Sequence, residues 1–164
     1  MISSPQKVIA NSFYSNFAWT DSHGMKLKTQ DFKGRTVVAT MAYATCKKIC
    51  IRSTVPILKD IYEELEKRKE SAEFFVFSLD PQNDQPQDLG RFLQSNKIEL
   101  SHWHFLVGDL EQTKKISTAL SLGDSWTMDD HIIHKFKITV FRPDGSVRYV
   151  FDWDHRNPKE IPNQ

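Results

Sequence analysis

The spacing of hydrophobic and polar positions changes several times along the chain, and each change marks an element. An aromatic and polar mixture from Phe13 to Thr20, the turn Asp21-Ser22-His23-Gly24 and alternation from Met25 to Thr29 predict an N-terminal β-hairpin. A second turn at Asp31-Phe32-Lys33-Gly34 leads into Thr36 to Tyr43, an almost continuous apolar run expected of a central strand covered on both faces. Ile51, Val55, Leu58, Ile61, Tyr62 and Leu65 then recur at helical spacing with charges between them, a helix that Pro56 is expected to kink. Phe74 to Leu79 reads as a second buried strand, with Asp80-Pro81-Gln82-Asn83-Asp84 as the loop at its end. A short helix over Gln87 to Gln94 and a short strand over Trp103 to Val107 follow. Leu110 to Leu120 is a helix expected to turn Leu110, Ile116 and Leu120 to the core. Lys137 to Arg142 and Ser146 to Asp152 pair through the Pro143-Asp144-Gly145 turn.

Strands separated by helices imply an α/β sheet, here one that ends in an antiparallel pair. This is the order of a thioredoxin-like fold with an additional N-terminal β-hairpin. No internal repeat, low-complexity tract or linker interrupts the 164 residues, so a single domain over 1–164 is expected.

Charge removes some functional classes. The 22 basic and 21 acidic residues nearly cancel, which gives no electrostatic reason to expect nucleic acid or an anionic membrane as partner. No apolar run is long enough to span a bilayer, and Met1-Ile-Ser-Ser-Pro-Gln-Lys lacks the apolar core of a secretory signal. The chain is therefore expected either to be cytoplasmic or to begin after a removed signal or anchor.

Chemistry concentrates at the only two cysteines, Cys46 and Cys50. A disulfide between residues so close in sequence closes a tiny loop and is a poor structural staple, so the spacing argues for redox chemistry or soft-metal binding. The pair stands where the strand ends and a helix begins. The helix N-terminus favours thiolate over thiol, and Lys47 and Lys48 add positive charge there. Residues at i and i+4 share a helix face at roughly 6 Å, within the range of about 4.4–6.8 Å that a disulfide tolerates between Cα atoms. The same spacing suits two sulfurs on one metal ion. The bland alternative is two buried cysteines acting as small hydrophobes.

A two-sulfur site calls for a third ligand, and six histidines are available: His23, His102, His104, His131, His134 and His155. His134 stands just before the last hairpin, on the loop that in thioredoxin-like domains faces the cysteine turn. His131 lies on the same loop and can substitute for it or add a fourth ligand. His102 and His104 flank Trp103 and are expected to pack around or cap a strand. Two thiolates and an imidazole suit Cu(I), and the imidazole also supports Cu(II). Zinc, which wants a fourth ligand such as His131 or Asp130, is secondary.

These residues carry a resemblance. From about Asn16 to Trp153 the chain resembles the Sco/SenC family of thioredoxin-like copper-binding proteins, associated with assembly of the copper site of cytochrome c oxidase. The family's C-x-x-x-C after an apolar strand is matched by Tyr43-Ala44-Thr45-Cys46-Lys47-Lys48-Ile49-Cys50, and its D-P-x-x-D loop by Asp80 to Asp84. Its ligand histidine lies nine residues before the proline of a P-D-G turn, a count that leads from Pro143 to His134. The resemblance implies that Cys46 and Cys50 are thiolate ligands and redox pair, with His134 as third ligand. The implied role is copper delivery to a cytochrome c oxidase subunit or another copper or thiol protein. The implied location is periplasmic or membrane-anchored on the extracytoplasmic side, through an anchor absent from this sequence. Lys47 and Ile51 stand where the family usually has prolines, and Ile133 where it usually has aspartate. A looser turn and two lysines that repel a cation favour thiol exchange over copper.

Two enzyme alternatives compete. In a thiol-disulfide oxidoreductase, Cys46 attacks a partner's cysteines, Cys50 resolves the mixed disulfide and His134 is dispensable. A peroxide-reducing enzyme needs a threonine three residues before the reactive cysteine, where this chain has Tyr43.

Overall fold

The computed structural model describes residues 13–44, 53–98, 101–122 and 135–164. Seven strands make one sheet: β1 (Ala18–Asp21), β2 (Lys26–Lys28), β3 (Thr36–Ala42), β4 (Ala72–Ser78), β5 (Trp103–Val107), β6 (Ile138–Phe141) and β7 (Val147–Phe151). Their spatial order is β2-β1-β5-β4-β3-β6-β7. The three central strands β3, β4 and β5 are parallel, and an antiparallel hairpin flanks them on each side. The predicted N-terminal hairpin is thus the extension of one edge, joined through the pairing of Thr20 with Val107.

Every residue of β3 and of β4 is buried, which explains their lack of alternation: a central strand has two covered faces. On one face Val38, Phe74, Val76, Phe105 and Val140 meet α1 (Val55–Lys67), whose Val55, Leu58, Ile61 and Leu65 form its apolar stripe, and α2 (Pro86–Ser95). On the other, Val37, Ala39, Met41, Phe75, Phe77 and Leu106 meet α3 (Leu110–Ala119) and the ring of Phe13, which stacks on Phe141 at 4.6 Å.

Two expectations are corrected. Pro56 does not kink a helix interior: α1 starts at Val55, so the proline occupies the first turn, where a missing N–H is no loss. Leu110 is 42% exposed rather than in the core. A reciprocal cap fixes the first turn of α3, with Gln112 N–H donating to Asp109 Oδ1 at 2.7 Å and Asp109 N–H to Gln112 Oε1 at 2.8 Å. The buried face then begins at Thr113 and continues through Ile116, Ser117 and Ala119. Among the described residues, no helix is long and apolar enough to cross a membrane.

Candidate functional site

The parallel strands determine where a site can be built. Their carboxyl ends share one edge of the sheet, the usual place for binding in an open α/β sheet. Strand β3 delivers Tyr43 and Ala44 to this edge, and the chain returns at Ser53 and Thr54 to begin α1. Because β6 runs antiparallel to β3, its entry is at the same edge: Thr40 Oγ1 donates to Lys137 O at 2.7 Å, one step before the paired residues Ala39 and Thr139. The chain ends flanking both chemistry-bearing segments therefore meet on adjacent strands. Cys46, Cys50, His131 and His134 themselves lie outside the described residues, as do Lys47, Lys48 and Asp130.

The described part of this edge is built around a buried carboxylate. Strand β4 ends in Ser78, and the Asp80 to Asp84 loop folds back so that Asp84 N–H donates to Asp80 O at 2.8 Å. Asp84 is 2% exposed. Its Oδ2 accepts the Ser78 hydroxyl at 2.6 Å, and Ala44 N–H donates to Oδ1 at 3.1 Å and Oδ2 at 3.3 Å. Ser78 Oγ in turn accepts from Asp80 N–H at 3.0 Å. Burial pushes the Asp84 carboxyl up to about 6; the two hydrogen bonds oppose this, and the nearby charges of Asp80 and Asp88 add to it. Thr54, also buried, has no partner for its hydroxyl among the described residues. On the far side of β3, buried Phe136 packs against Trp153, ring centres 5.0 Å apart, and Trp153 remains about half exposed beneath Arg156.

The four described histidines divide by position. His102 and His104 belong to the opposite edge, where Phe75 pairs with His104 in register. As expected, they pack and cap: His104 Nε2 lies 2.7 Å from Glu73 Oε2 and its ring stacks on Phe75. His23 is exposed beside Asp21, and His155 follows β7 with Nδ1 3.0 Å from Asp152 Oδ1. Among the described residues, no three His, Cys, Asp or Glu side chains converge on a metal position. The sequence marks Asp80 to Asp84 as the loop after the second buried strand and as a family motif, but gives Asp84 no role of its own. The tie from Asp84 to Ala44 spans 40 residues, and no local pattern signals it.

The model of the SCO1/SenC family matches residues 6–164. The SCO1 protein homolog of Bacillus subtilis (strain 168) is 24% identical over 137 residues, which cover 80% of this chain and 69% of that protein. The crystal structure of a SCO1/SenC family lipoprotein from Bacillus anthracis str. Ames superposes with a TM-score of 0.74 at 24% identity, over 88% of this chain and 92% of that one. Arabidopsis thaliana ScoI with copper bound gives a TM-score of 0.75 at 15% identity, over 91% and 92%. The fold is the thioredoxin-like α/β fold of these proteins, as the order of elements predicts.

Proposed function

The chain belongs to the SCO1/SenC family, and from that premise we propose that it binds copper as cargo and serves assembly of the cytochrome c oxidase copper centre. In this reading the thiolates of Cys46 and Cys50 and the imidazole of His134 hold Cu(I), a soft, low-coordinate donor set suited to that ion. The observation that carries it is the antiparallel pairing of β3 with β6, which brings the chain bordering the cysteine pair and the chain bordering His134 to neighbouring positions on one edge. Copper bound in the Arabidopsis relative supports the same reading.

Transfer to the partner proceeds by ligand exchange, each protein thiolate replaced in turn by one from the acceptor. Both cysteines must be reduced, because a disulfide has no thiolate to offer. The family, which includes the Bacillus anthracis lipoprotein, supports an extracytoplasmic place of work. The partner is then a copper or thiol protein on that side of the membrane.

Competition of the reduced protein with a chromophoric Cu(I) chelator tests this. One equivalent should bind tightly, and Cys46→Ser or Cys50→Ser, which remove a ligand itself, should lower affinity by more than the ~10–100-fold that loss of an outer-shell partner costs. His134→Ala should weaken copper binding yet leave the rate of exchange with a small-molecule disulfide unchanged. Failure of the reduced protein to bind Cu(I), or binding undiminished in Cys50→Ser, overturns the reading. Vigorous disulfide exchange in that case makes the chain an oxidoreductase instead.

A further inference from the structure

The buried carboxylate of the Asp80 to Asp84 loop holds the last described residue before the cysteines. Asp84 binds neither a helix cap nor a described cation: its described partners are one hydroxyl, Ser78, and one backbone amide, Ala44. Burying a carboxylate against neutral donors alone is costly, since each charge left without a counter-ion loses solvation that hydrogen bonds only partly replace. A neutral residue could close the same turn, because Asp84 N–H and Asn83 N–H already bond Asp80 O. The carboxylate oxygens are spent on the end of β3 instead. The antiparallel ladder to β6 ends at Ala39 and the parallel ladder to β4 at Ala42, where Leu79 N–H donates to Ala42 O at 2.8 Å. Ala44 N–H is thus the point at which the departing chain is tied down. Cys46 follows Ala44 by two residues in the sequence.

We propose that Asp84 is a positioning residue for the thiol site: by holding the Ala44 amide it sets the direction in which the chain leaves β3 for Cys46. This rests on the reading of Cys46 and Cys50 as copper ligands. Ser78 completes the device, since its hydroxyl orients the carboxylate while its oxygen holds Asp80 N–H. Ligand supports of this kind are worth about 10–100-fold in metal affinity.

The experiment compares wild type, Asp84→Ala, Asp84→Asn and Ser78→Ala, each confirmed folded by circular dichroism. Two quantities are read: Cu(I) affinity by chelator competition, and iodoacetamide alkylation rates of the two cysteines without metal. Asp84→Ala removes the acceptor and should lower Cu(I) affinity by about 10–100-fold, with Ser78→Ala losing less. The amide oxygen of Asp84→Asn still accepts from Ala44 N–H, so this variant should stay within about threefold of wild type. Alkylation should change in Asp84→Ala and recover in Asp84→Asn. Wild-type affinity in Asp84→Ala overturns the proposal, as does a loss in Asp84→Asn equal to that in Asp84→Ala. If Asp84→Ala fails to fold, unchanged affinity and alkylation in Ser78→Ala overturn it, and a loss in Ser78→Ala with Asp84→Asn near wild type upholds it. If wild type itself binds no Cu(I), the functional reading has failed, and the alkylation rates alone decide on Asp84.

Discussion

The two edges of the central sheet treat buried carboxylates in opposite ways. At the edge where the parallel strands begin, acids are matched with bases. Glu73 meets Arg35 Nη1 at 2.8 Å and His104 Nε2 at 2.7 Å, and Glu70 accepts from Arg148, whose side chain is wholly buried, at 2.7 and 3.2 Å. Both carboxyls are held below the usual range: burial raises Glu73, but the bonds and charges of His104 and Arg35 outweigh it, and Arg148 lowers Glu70. At the edge where the strands end, the described partners of Asp84 are neutral donors, Asp80 and Asp88 add negative charge nearby, and burial pushes its carboxyl up to about 6. Among the described residues, the acids of the first edge have cationic partners and Asp84 at the second has none. Shifts of this second kind gather at functional sites because a purely structural carboxylate gains from a partner.

Breaking the first edge should have the largest effect. Arg148 Nε also donates to Pro162 O at 2.8 Å, and Arg68 Nη1 to Ile161 O at 2.8 Å, so these two cations pin the C-terminal segment to α1 and β7. Arg148→Met leaves Glu70 without its guanidinium and frees Pro162 O. The expected loss is about 3 kcal/mol in urea unfolding, in the range for removing one partner of a buried pair. In the wild type the Glu70 pair contributes stability above the unfolded-state pKa of 4.5, and that contribution falls away as pH drops through the lowered folded value. The difference between wild type and Arg148→Met should therefore shrink below pH 4.5, and a constant difference would refute the pairing.

The second edge should answer with the opposite sign. A carboxyl raised from 3.8 to about 6 keeps its proton in the folded state while the unfolded chain gives it up. Its contribution to stability is complete below pH 3.8, declines as pH rises towards about 6 and is gone above that. Asp84→Asn carries no such dependence, because its amide accepts from Ala44 and donates to Ser78 at any pH. Relative to wild type it should gain about 1–3 kcal/mol between pH 4 and pH 7.5. Thermal unfolding at both pH values measures this, and equal differences at the two would refute the raised carboxyl.

The contrast between the edges was only partly legible in the sequence. Strand β3 announced itself because both its faces are covered and its apolar run has no gaps, and the hairpin at Pro143-Asp144-Gly145 because Gly145 takes φ +83°. Pro56 was misjudged because periodicity shows that a helix exists but not which residue opens it. Leu110 was misjudged because a side-chain cap, not burial, decides how the first turn of α3 is held. His104 packs on Phe75 and the His102 carbonyl caps Phe74 N–H, as the expectation of packing or capping has it, but Glu73 as the partner of their rings needs the register of β4 with β5. Asp84 is hidden for a related reason: its meaning lies in Ala44, two residues past the end of β3, and a contact across 40 residues is set by tertiary folding rather than by local spacing. The cysteines, singled out by type and spacing, and His134, singled out by the family resemblance, lie outside the described residues and stay at the level of proposal.

The smallest expected effect tests whether the two edges are independent. Arg35 bonds Glu73, but its side chain is 58% exposed, and Glu73 keeps His104 when Arg35 is gone. Solvent competes with an exposed guanidinium, so Arg35→Ala should cost no more than about 1 kcal/mol in urea unfolding. The site edge lies at the other end of fully paired strands: β3 and β4 match in register from Thr36 with Ala72 to Ala42 with Ser78. A rigid ladder of that length passes on a change at one end only if the strands slide, and sliding by one residue would turn every core side chain to the wrong face. Cu(I) affinity and cysteine alkylation rates should thus be unchanged in Arg35→Ala, even though the fold is measurably weaker. A drop in copper affinity comparable to that expected of Asp84→Ala would mean that the edges communicate, and the division between a structural end and a functional end would have to be given up.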